Sequence, residues 1–408
     1  MTRTVFAFLA IALCLLLMQA AARTGFSRLL TRYAVAFNSL PAADQAVQLT
    51  PSDPEAHRAR ATVLNRLRRS AEAEASLTTA TNLRPGDDLL WLELGSTKEE
   101  LGDNAGALAA FDQAVRCAPY YAHTHWQRGN LLLRMGRYDE AFADLRQAAV
   151  SNKKFLPNLV DLAWGLSGGD LEATRRLIQV NNDNDRLAFL RFLARKGKGA
   201  DVVEEIGHLK APLSLENREE LVGLLFAARD YYAAFELKKE VSPPADGGVF
   251  NGGFEDPLTT NNASFGWIVS SAQAKANLAV DVSEKLTGGK SLRIIFDGEW
   301  NPGVPLLSQT IVVEGERGYR LDFSVKTKDL VTGGPPVIYV SDAVTNQLLA
   351  KSDPFPQSID SWQAMHVDFK TLAGTKAIVI RLQGQGCTSD PCPIFGVVWL
   401  DDFSLQKL

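Results

Sequence analysis

The sequence has little excess charge of either sign, and it lacks the short motifs that carry most enzymatic chemistry. Its 408 residues contain 43 Lys and Arg against 47 Asp and Glu, a formal net charge of −4. A nucleic-acid surface needs a basic excess to neutralise phosphates, so this balance argues against nucleic acid as a partner. There is no nucleophile elbow, metal-ligand cluster, glycine-rich phosphate loop or distinctive carboxylate pair. We therefore expect a protein that is not an enzyme and that holds no catalytic cofactor.

Cysteine is also scarce, with four in the chain. Cys387 and Cys392 flank a short polar stretch, a spacing that suits a small disulfide ring. Zinc binding would need two further ligands nearby, and these are missing. A disulfide at this position indicates an oxidising compartment.

The N-terminal segment is the one long hydrophobic run. Val5 to Ala22 is apolar apart from Gln19. This length is near the lower limit for crossing a bilayer and somewhat long for the core of a signal peptide. Residues 1–22 are therefore predicted to be a signal peptide or a membrane anchor, with residues 4–22 in the membrane if they are retained. Two other interpretations are lipidation of Cys14, disfavoured by the bulky residue before it, and a buried first helix.

One pattern returns every 34 residues in the first half of the chain. Five sets of positions, called columns here, follow this 34-residue spacing in one register. Three columns hold small residues, one holds large apolar residues and one holds proline. The columns are Pro51, Pro85 and Pro119; Ala46, Ala80, Ala114 and Ala148; Ala73, Ala107 and Ala141; Ala61, Gly95 and Gly129; and Leu77, Phe111 and Leu145. Such a period predicts pairs of helices stacked in a solenoid.

The unit from Asp88 to Tyr121 resembles the tetratricopeptide repeat (TPR) family. The residues that carry the resemblance are Trp91, Leu94, Gly95, Gly102, Ala107, Phe111, Ala114 and Pro119. The likeness implies a close helix crossing at Gly95 and Ala107 and a helix end at Gly102. His57 and His125 stand in the Trp91 column of the neighbouring units. We expect the solenoid to span residues 23–241 with about six helical pairs, the outer ones divergent.

The resemblance further implies a concave groove lined by the first helix of each pair, which would bind a protein partner. The predicted groove residues are Arg58, Asn65, His123, Trp126, Asn130 and Arg134. Trp126 could instead pack against the adjacent repeat. The groove lacks the regular Lys, Asn and Arg set with which the family clamps a C-terminal carboxylate.

Beyond a Pro- and Gly-rich linker at residues 242–248, the hydrophobic period changes from 3.6 to 2. Short alternating segments separated by turn residues predict an all-β sandwich over residues 249–408. The predicted strands are 292–297, 308–313, 319–327, 337–342, 362–370, 376–384 and 396–405. The predicted fold is thus an all-α TPR solenoid followed by an all-β jelly-roll sandwich.

Three stretches of this half resemble carbohydrate-binding modules of the galactose-binding-like group: "NGGFEDP" with a following "GW", "GGKSLRIIF" and "VWLDDFSL". The resemblance implies a jelly roll and a structural calcium that links its first and last strands. The implied ligands are Glu255, Asp401 and a backbone carbonyl near Lys290. Alternation favours Asp401 over Asp402, because it places Asp401 with Trp399, Phe403 and Leu405 on a core-like face. The alternative is that both aspartates cap turns or face water.

A glycan site would need exposed aromatic rings with polar partners. Trp300 is the first candidate because it lies in a Gly- and Pro-containing loop, and the alternative is a loop anchor folded back on the sandwich. Tyr339 and Trp362 follow, with Gln309 as a polar partner. Trp267 and Trp399 are predicted to lie in the core.

These features together predict an exported, non-catalytic adaptor in the periplasm or cell envelope, anchored in the inner membrane if residues 1–22 are retained. The solenoid would bind a protein and the β domain a polysaccharide, as in exopolysaccharide assembly; that step rests on analogy with the modules. One alternative is a purely structural protein without sugar binding. The other is an accessory subunit of a polysaccharide-degrading enzyme.

Overall fold

The computed structural model describes residues 2–180, 182–240, 244, 248–258, 265–270, 276–387 and 392–408. Helices occupy the first part of the chain and strands the second. The helices are α1 (Thr2–Phe37), α2 (Leu40–Leu49), α3 (Pro54–Arg66), α4 (Ser70–Leu83), α5 (Asp88–Glu100), α6 (Asn104–Cys117), α7 (Ala122–Arg134), α8 (Tyr138–Ser151), α9 (Leu156–Leu166), α10 (Leu171–Ile178), α11 (Asp183–Arg195), α12 (Gly199–Ile206), α13 (Leu215–Ala227) and α14 (Tyr231–Lys239), with a 3₁₀ turn at Lys153–Phe155. The strands are β1 (Ile268–Val269), β2 (Asn277–Asp281), β3 (Ser291–Asp297), β4 (Leu307–Val312), β5 (Gly318–Thr332), β6 (Pro336–Asp342), β7 (Leu348–Lys351), β8 (Ile359–Lys370), β9 (Ala377–Gly384) and β10 (Ile394–Lys407). An α-helical region followed by an all-β region confirms the predicted fold class.

The 34-residue columns form the buried core of the repeats. All four alanines of the Ala46 column are inaccessible to solvent, as are the Ala73 and Leu77 columns. Gly95 shows why its column is small, because a Cβ there would lie 2.5 Å from the Phe111 ring. Gly102, with φ at +80°, ends α5 as predicted. The described helices make seven pairs rather than about six, since α1 and α2 form a complete first pair.

The Trp91 column has a common role that the sequence did not reveal. The Trp91 Nε1 donates a hydrogen bond to the Pro85 carbonyl at 2.8 Å. The Nε2 atoms of His57 and His125 lie at the same 2.8 Å from the carbonyls six residues before them, at Pro51 and Pro119. Each ring thereby ties the turn before a repeat to its first helix, so histidine replaces tryptophan without loss of the bond.

Helix α1 runs without interruption over 36 residues. Its last third packs as the first helix of the solenoid. Ser27 and Ala34 are fully buried, and the Ser27 hydroxyl donates to the Ala46 carbonyl at 3.0 Å. Within the part of the chain that the structure describes, no helix has both the length and the apolar character needed to cross a membrane.

The chain divides into two compact units, residues 1–181 and 182–408. The predicted solenoid ended at residue 241, but the last four helices belong to the unit that contains the β strands. Aromatic contacts hold them there: Phe265 lies 5.2 Å from the Phe226 ring and 5.7 Å from the Phe235 ring. The predicted linker 242–248 lies outside the described residues, apart from Pro244 and Gly248.

The β region consists of two five-stranded antiparallel sheets. Their strand orders are β1-β4-β9-β6-β7 and β2-β3-β10-β5-β8. Leu292, Phe323 and Ile380 belong to one apolar cluster between them. All seven predicted strands are present, and the three additional strands, β1, β2 and β7, lie at sheet edges.

Strand β10 corrects one part of the prediction. Its pairing with β5 shifts register between Asp401 and Ser404, where an extra residue enters β10. Val398 and Leu400 therefore face the core before the bulge, and Phe403 and Leu405 face it afterwards. Trp399 is buried outside that core, so the uninterrupted alternation from Trp399 to Leu405 was wrong. Asp401 is nevertheless fully buried, because it lies at the bulge.

Candidate functional site

A groove of about 390 Å³ crosses the first helices of three successive pairs, α3, α5 and α7. Its walls combine leucines with short polar side chains. The lining residues are Thr62, Asn65, Arg66, Leu89, Leu92, Glu93, Ser96, His123 and Gln127. Of the predicted groove residues, Asn65 and His123 line it, whereas Arg58, Trp126, Asn130 and Arg134 do not. The prediction lacked Leu89, Leu92 and Ser96, although their 3- and 4-residue spacing on α5 could have indicated one helix face.

Ion pairs between repeats neutralise two arginines near this groove, Arg58 and Arg134. The Arg58 guanidinium donates to the Glu93 carboxylate at 2.6 and 2.9 Å. This hydrogen bond, against the opposing effect of burial, raises the pKa of Arg58. Arg134 pairs in the same way with Glu99. Arg66 and Glu93 also line the groove. Glu93 is paired with Arg58, whereas the exposed Arg66 donates to the Val35 carbonyl, so the groove presents a cation beside Leu89 and the neutral polar groups.

Trp126 packs on the segment that follows its own repeat. Its ring stacks on Phe155 at a centroid distance of 4.7 Å. Asn130 donates its side-chain N–H to the Trp126 carbonyl at 2.9 Å, which uses that group within the helix. Trp126 therefore has the packing role that was the alternative to ligand contact, and the prediction that it lines the groove was wrong.

A buried polar network lies beside α7 and joins two repeats. The His125 Nδ1 lies 2.8 Å from Asp144 Oδ1. Arg128 donates to both Asp144 oxygens, at 2.6 and 2.7 Å, and to Asp112 at 2.9 Å. Burial alone would raise the pKa of Asp144, but the hydrogen bonds from Arg128 and His125 outweigh it and lower that pKa. The hydrogen bond with Asp144 in turn raises the pKa of His125.

The predicted calcium ligands lie close together in the β domain. A Cβ at Gly253 would lie 3.6 Å from Asp401 Oδ1, 3.9 Å from Glu255 Cγ and 4.0 Å from Thr287 Oγ1. The Asp401 carboxylate and the Thr287 hydroxyl are hard oxygen ligands of the kind that calcium prefers, whereas the Glu255 atom near Gly253 is its Cγ. Among the described residues, no group of three or more His, Cys, Asp or Glu side chains could hold a metal.

Backbone N–H groups already compensate both carboxylates. Asp401 Oδ2 accepts from Leu286 N at 2.8 Å and from Thr287 N at 3.1 Å, while Oδ1 accepts from the next residue. Glu255 Oε1 accepts from Gly289 N at 2.7 Å and from Lys290 N at 3.1 Å. These bonds join the first and last parts of the sandwich through one loop. Calcium binding stays a prediction, and its predicted ligands are residues that already stabilise this junction.

Two of the predicted glycan-binding residues are buried. Trp300 is folded back on the sandwich, where its ring lies 5.1 Å from Phe296 and fills the space beside Gly384. Gln309 is inaccessible to solvent, and its amide exchanges two hydrogen bonds with the Phe250 backbone, at 2.9 and 2.8 Å. Both predictions were wrong, because each side chain is used to hold the fold. Tyr339 and Trp362 are half-buried and lie on strands of different sheets.

The Cys387 and Cys392 sulfurs are bonded in the structure, with Cα atoms 5.8 Å apart. The bond packs on the turn between β5 and β6, since a Cβ at Gly334 would lie 3.0 Å from each sulfur. Residues 388–391, between the two cysteines, lie outside the described residues. Trp267 is buried in the core, as predicted, whereas Trp399 is buried outside it.

Comparison with known proteins supports the repeat assignment. Residues 38–88, 66–122 and 92–158 match the family model of the tetratricopeptide repeat. Protein FlbA of Caulobacter vibrioides (strain ATCC 19089 / CIP 103742 / CB 15) is 33% identical over 98 residues, which make up 24% of this chain. The match spans only 16% of the length of FlbA.

Two solved structures show similarity at low identity. MamA 41-end from Desulfovibrio magneticus RS-1 is 15% identical with a TM-score of 0.33, over 40% of this chain and 94% of that one. A chain from the solved structure "CBM4 structure and function" is 12% identical with a TM-score of 0.30, over 39% of this chain and 99% of that one. From the family match and the buried repeat columns, residues 38–158 are identified as tetratricopeptide repeats.

Proposed function

We propose that the protein is a non-catalytic adaptor whose groove across α3, α5 and α7 binds an extended segment of a protein partner. The observation that carries this proposal is the groove itself. Leu89 is exposed beside Thr62 and Asn65 from α3 and Gln127 from α7. Arg58 is paired with Glu93, and Arg66 adds a guanidinium to the lining. Such a surface suits a peptide with an apolar anchor and polar backbone contacts.

Site-specific photocrosslinking tests this proposal. A photoreactive amino acid at Ser96, in the groove, should give a discrete crosslinked species in cells. The same group at Thr78, which is exposed on α4 and lies outside the groove, is the control. A partner crosslinked from both positions, or from Thr78 alone, would contradict binding in the groove.

The location of the adaptor is the second part of the proposal. We infer that it is exported and works in the cell envelope, tethered to the inner membrane if residues 1–22 are retained. The apolar N-terminal run and the Cys387–Cys392 disulfide support this independently. Accessibility of an engineered tag to a protease, in whole cells and in spheroplasts, would test it. A tag that is protected in spheroplasts but cleaved after lysis would contradict export.

A second candidate function is glycan binding by the β domain. The observation that favours it is Phe395 on β10, which is half exposed and stacks against the backbone of Gly298. Its cross-strand neighbours are Asp297 on β3 and Val331 on β5. A ring beside a carboxylate on a sheet face can stack on a sugar and accept from its hydroxyls.

Titration of the full chain with soluble polysaccharides would test this second function. Binding that is lost in Phe395→Ala and kept in Tyr120→Ala, a change at an exposed ring of the helical region, would support the site. Binding that survives Phe395→Ala, or no binding to any polysaccharide by the folded chain, would exclude it.

A further inference from the structure

Helix α1 presents one row of large apolar side chains that nothing in the described chain covers. Each of them exposes between 50% and 70% of its surface. The row consists of Ile11, Leu15, Met18, Phe26, Leu29, Tyr33 and Phe37, with the exposed Ala22 at its centre. The row extends past the end of the apolar N-terminal run, because its last four members lie beyond Arg23.

The spacing of this row keeps it on one side of a straight helix. Ile11, Ala22 and Tyr33 are 11 residues apart, and the steps between neighbouring members are three or four residues. An 11-residue repeat corresponds to about 3.67 residues per turn, close to the 3.6 of the α-helix. Two such helices can therefore remain in contact along their whole length with little supercoiling.

The row borders the face of α1 that packs on the solenoid and meets it at Leu30, which is four residues from Phe26 and seven from Phe37. That face carries Ser27 and Ala34, and Leu30 packs against the same apolar cluster. At about 100° per residue, Tyr33 lies roughly a third of a turn around the helix from Ser27. The first repeat therefore leaves the row accessible from the side.

We propose that α1 pairs in parallel with α1 of a second copy of this chain along this row. The exposed area suits such a pair. At roughly 150–250 Å² for a whole aromatic side chain, the half-exposed rings and the aliphatic residues together offer on the order of 700 Å² per copy. A stable interface buries about 800 Å² per partner.

The polar residues of α1 favour a helical partner over a lipid surface. Up to Ala22 the described exposed residues are apolar on every side apart from Gln19, and they include Leu13, Leu16 and Leu17, as lipid contact alone would require. Beyond that point Arg28 and Arg32 are exposed beside the row, yet the row continues. In a parallel pair the two apolar segments that end at Ala22 lie side by side. A single apolar environment, such as a membrane, can then cover both. The pairing does not depend on the function proposed for the groove.

Cysteine crosslinking of the full-length chain tests the proposal. The background is Cys14→Ser and Cys117→Ser, which leaves the Cys387–Cys392 disulfide in place. Leu29→Cys and Tyr33→Cys lie in the row, and Arg28→Cys and Arg32→Cys are matched positions beside it. On oxidation in detergent and in phosphatidylcholine vesicles, the row variants should form covalent dimers and the other two should stay monomeric. Equal crosslinking at all four positions, or none at the row positions, would overturn the proposal.

The mass of the unmodified chain gives a second readout. Light scattering in detergent should show twice the mass of one chain, and the double variant Leu29→Asn, Tyr33→Asn should reduce it to one chain. The helical circular dichroism should not change, because both side chains are exposed. Arg32→Gln, the control, should remain a dimer. A monomeric wild-type chain, or a dimer that survives the double variant, would contradict pairing along this row.

Discussion

Replacement of His125 by phenylalanine should destabilise the repeats in a way that depends on pH. In the folded chain both ring nitrogens face acceptors, the Asp144 carboxylate on one side and the Pro119 carbonyl on the other, each at 2.8 Å. Both bonds can form only if both nitrogens carry a proton, which is the charged form of the ring. Phenylalanine keeps a buried ring of similar size but donates to neither acceptor.

The magnitude follows from the two lost hydrogen bonds. The bond to the carboxylate involves two charged groups and contributes about 1.5–3 kcal/mol, and an unsatisfied Pro119 carbonyl costs about 1–3 kcal/mol. Asp144 keeps its two bonds from Arg128, so no unpaired charge is left behind. We therefore expect the variant to lose about 2.5–6 kcal/mol at acidic pH, a large share of the stability of a typical domain.

The direction of the pH effect follows from the raised pKa of His125, for which the hydrogen bond with Asp144 is the main cause. The folded-state pKa of His125 lies above the unfolded value of about 6.5. The hydrogen bonds of the charged ring therefore contribute their full stability at pH values below about 6.5. This stability is lost as the pH rises through the folded pKa. The difference between wild type and His125→Phe should therefore be largest near pH 5 and should shrink by about 1.5–3 kcal/mol on the alkaline side.

Urea unfolding of the full chain, followed by circular dichroism at acidic and alkaline pH, measures this difference. His123→Phe on the same helix is the control. His123 is exposed, and the one hydrogen bond described for its side chain is with Gln127. A difference between wild type and His125→Phe that is the same at both pH values would refute a charged His125.

Three further predictions concern the β domain. Asp401→Ala removes the acceptor of three backbone N–H groups and should cost at least about 3 kcal/mol, whereas the exposed Asp402→Asn should stay within about 0.5 kcal/mol by thermal unfolding. Gln309→Met should leave both backbone groups of Phe250 without partners and should expose that segment to hydrogen exchange. Calcium should raise the melting temperature of wild type but not of Glu255→Gln; the same melting temperature with calcium and with chelator would exclude the metal site.

The fold could be predicted from the sequence where its signals are local and periodic. The 34-residue columns identify the helices because each column fills one place in every helix pair, as the buried alanines show. The seven predicted strands have strong alternation. Strands β1, β2 and β7 were missed because they are short edge strands with a weaker apolar pattern.

The errors concern contacts between residues far apart in the chain. Trp300 has the sequence surroundings of an exposed loop residue, and only the space beside Gly384, on another strand, shows where its ring lies. Helices α11–α14 keep a helix–turn–helix pattern, so nothing local indicates that Phe226 and Phe235 pack on Phe265. The bulge after Asp401 likewise depends on the pairing with β5.

Binding of a protein segment in the groove across α3, α5 and α7 is best tested with a matched pair of leucine variants. Leu89 lines the groove and is 39% exposed, whereas Leu83 on α4 lies outside it and is 41% exposed. The measurement is the affinity, by calorimetry, of the partner segment identified by crosslinking at Ser96. We expect Leu89→Ala to weaken binding about tenfold, or about 1.4 kcal/mol, and Leu83→Ala to leave it unchanged. Equal affinity for wild type and Leu89→Ala, with both proteins folded, would contradict binding in this groove.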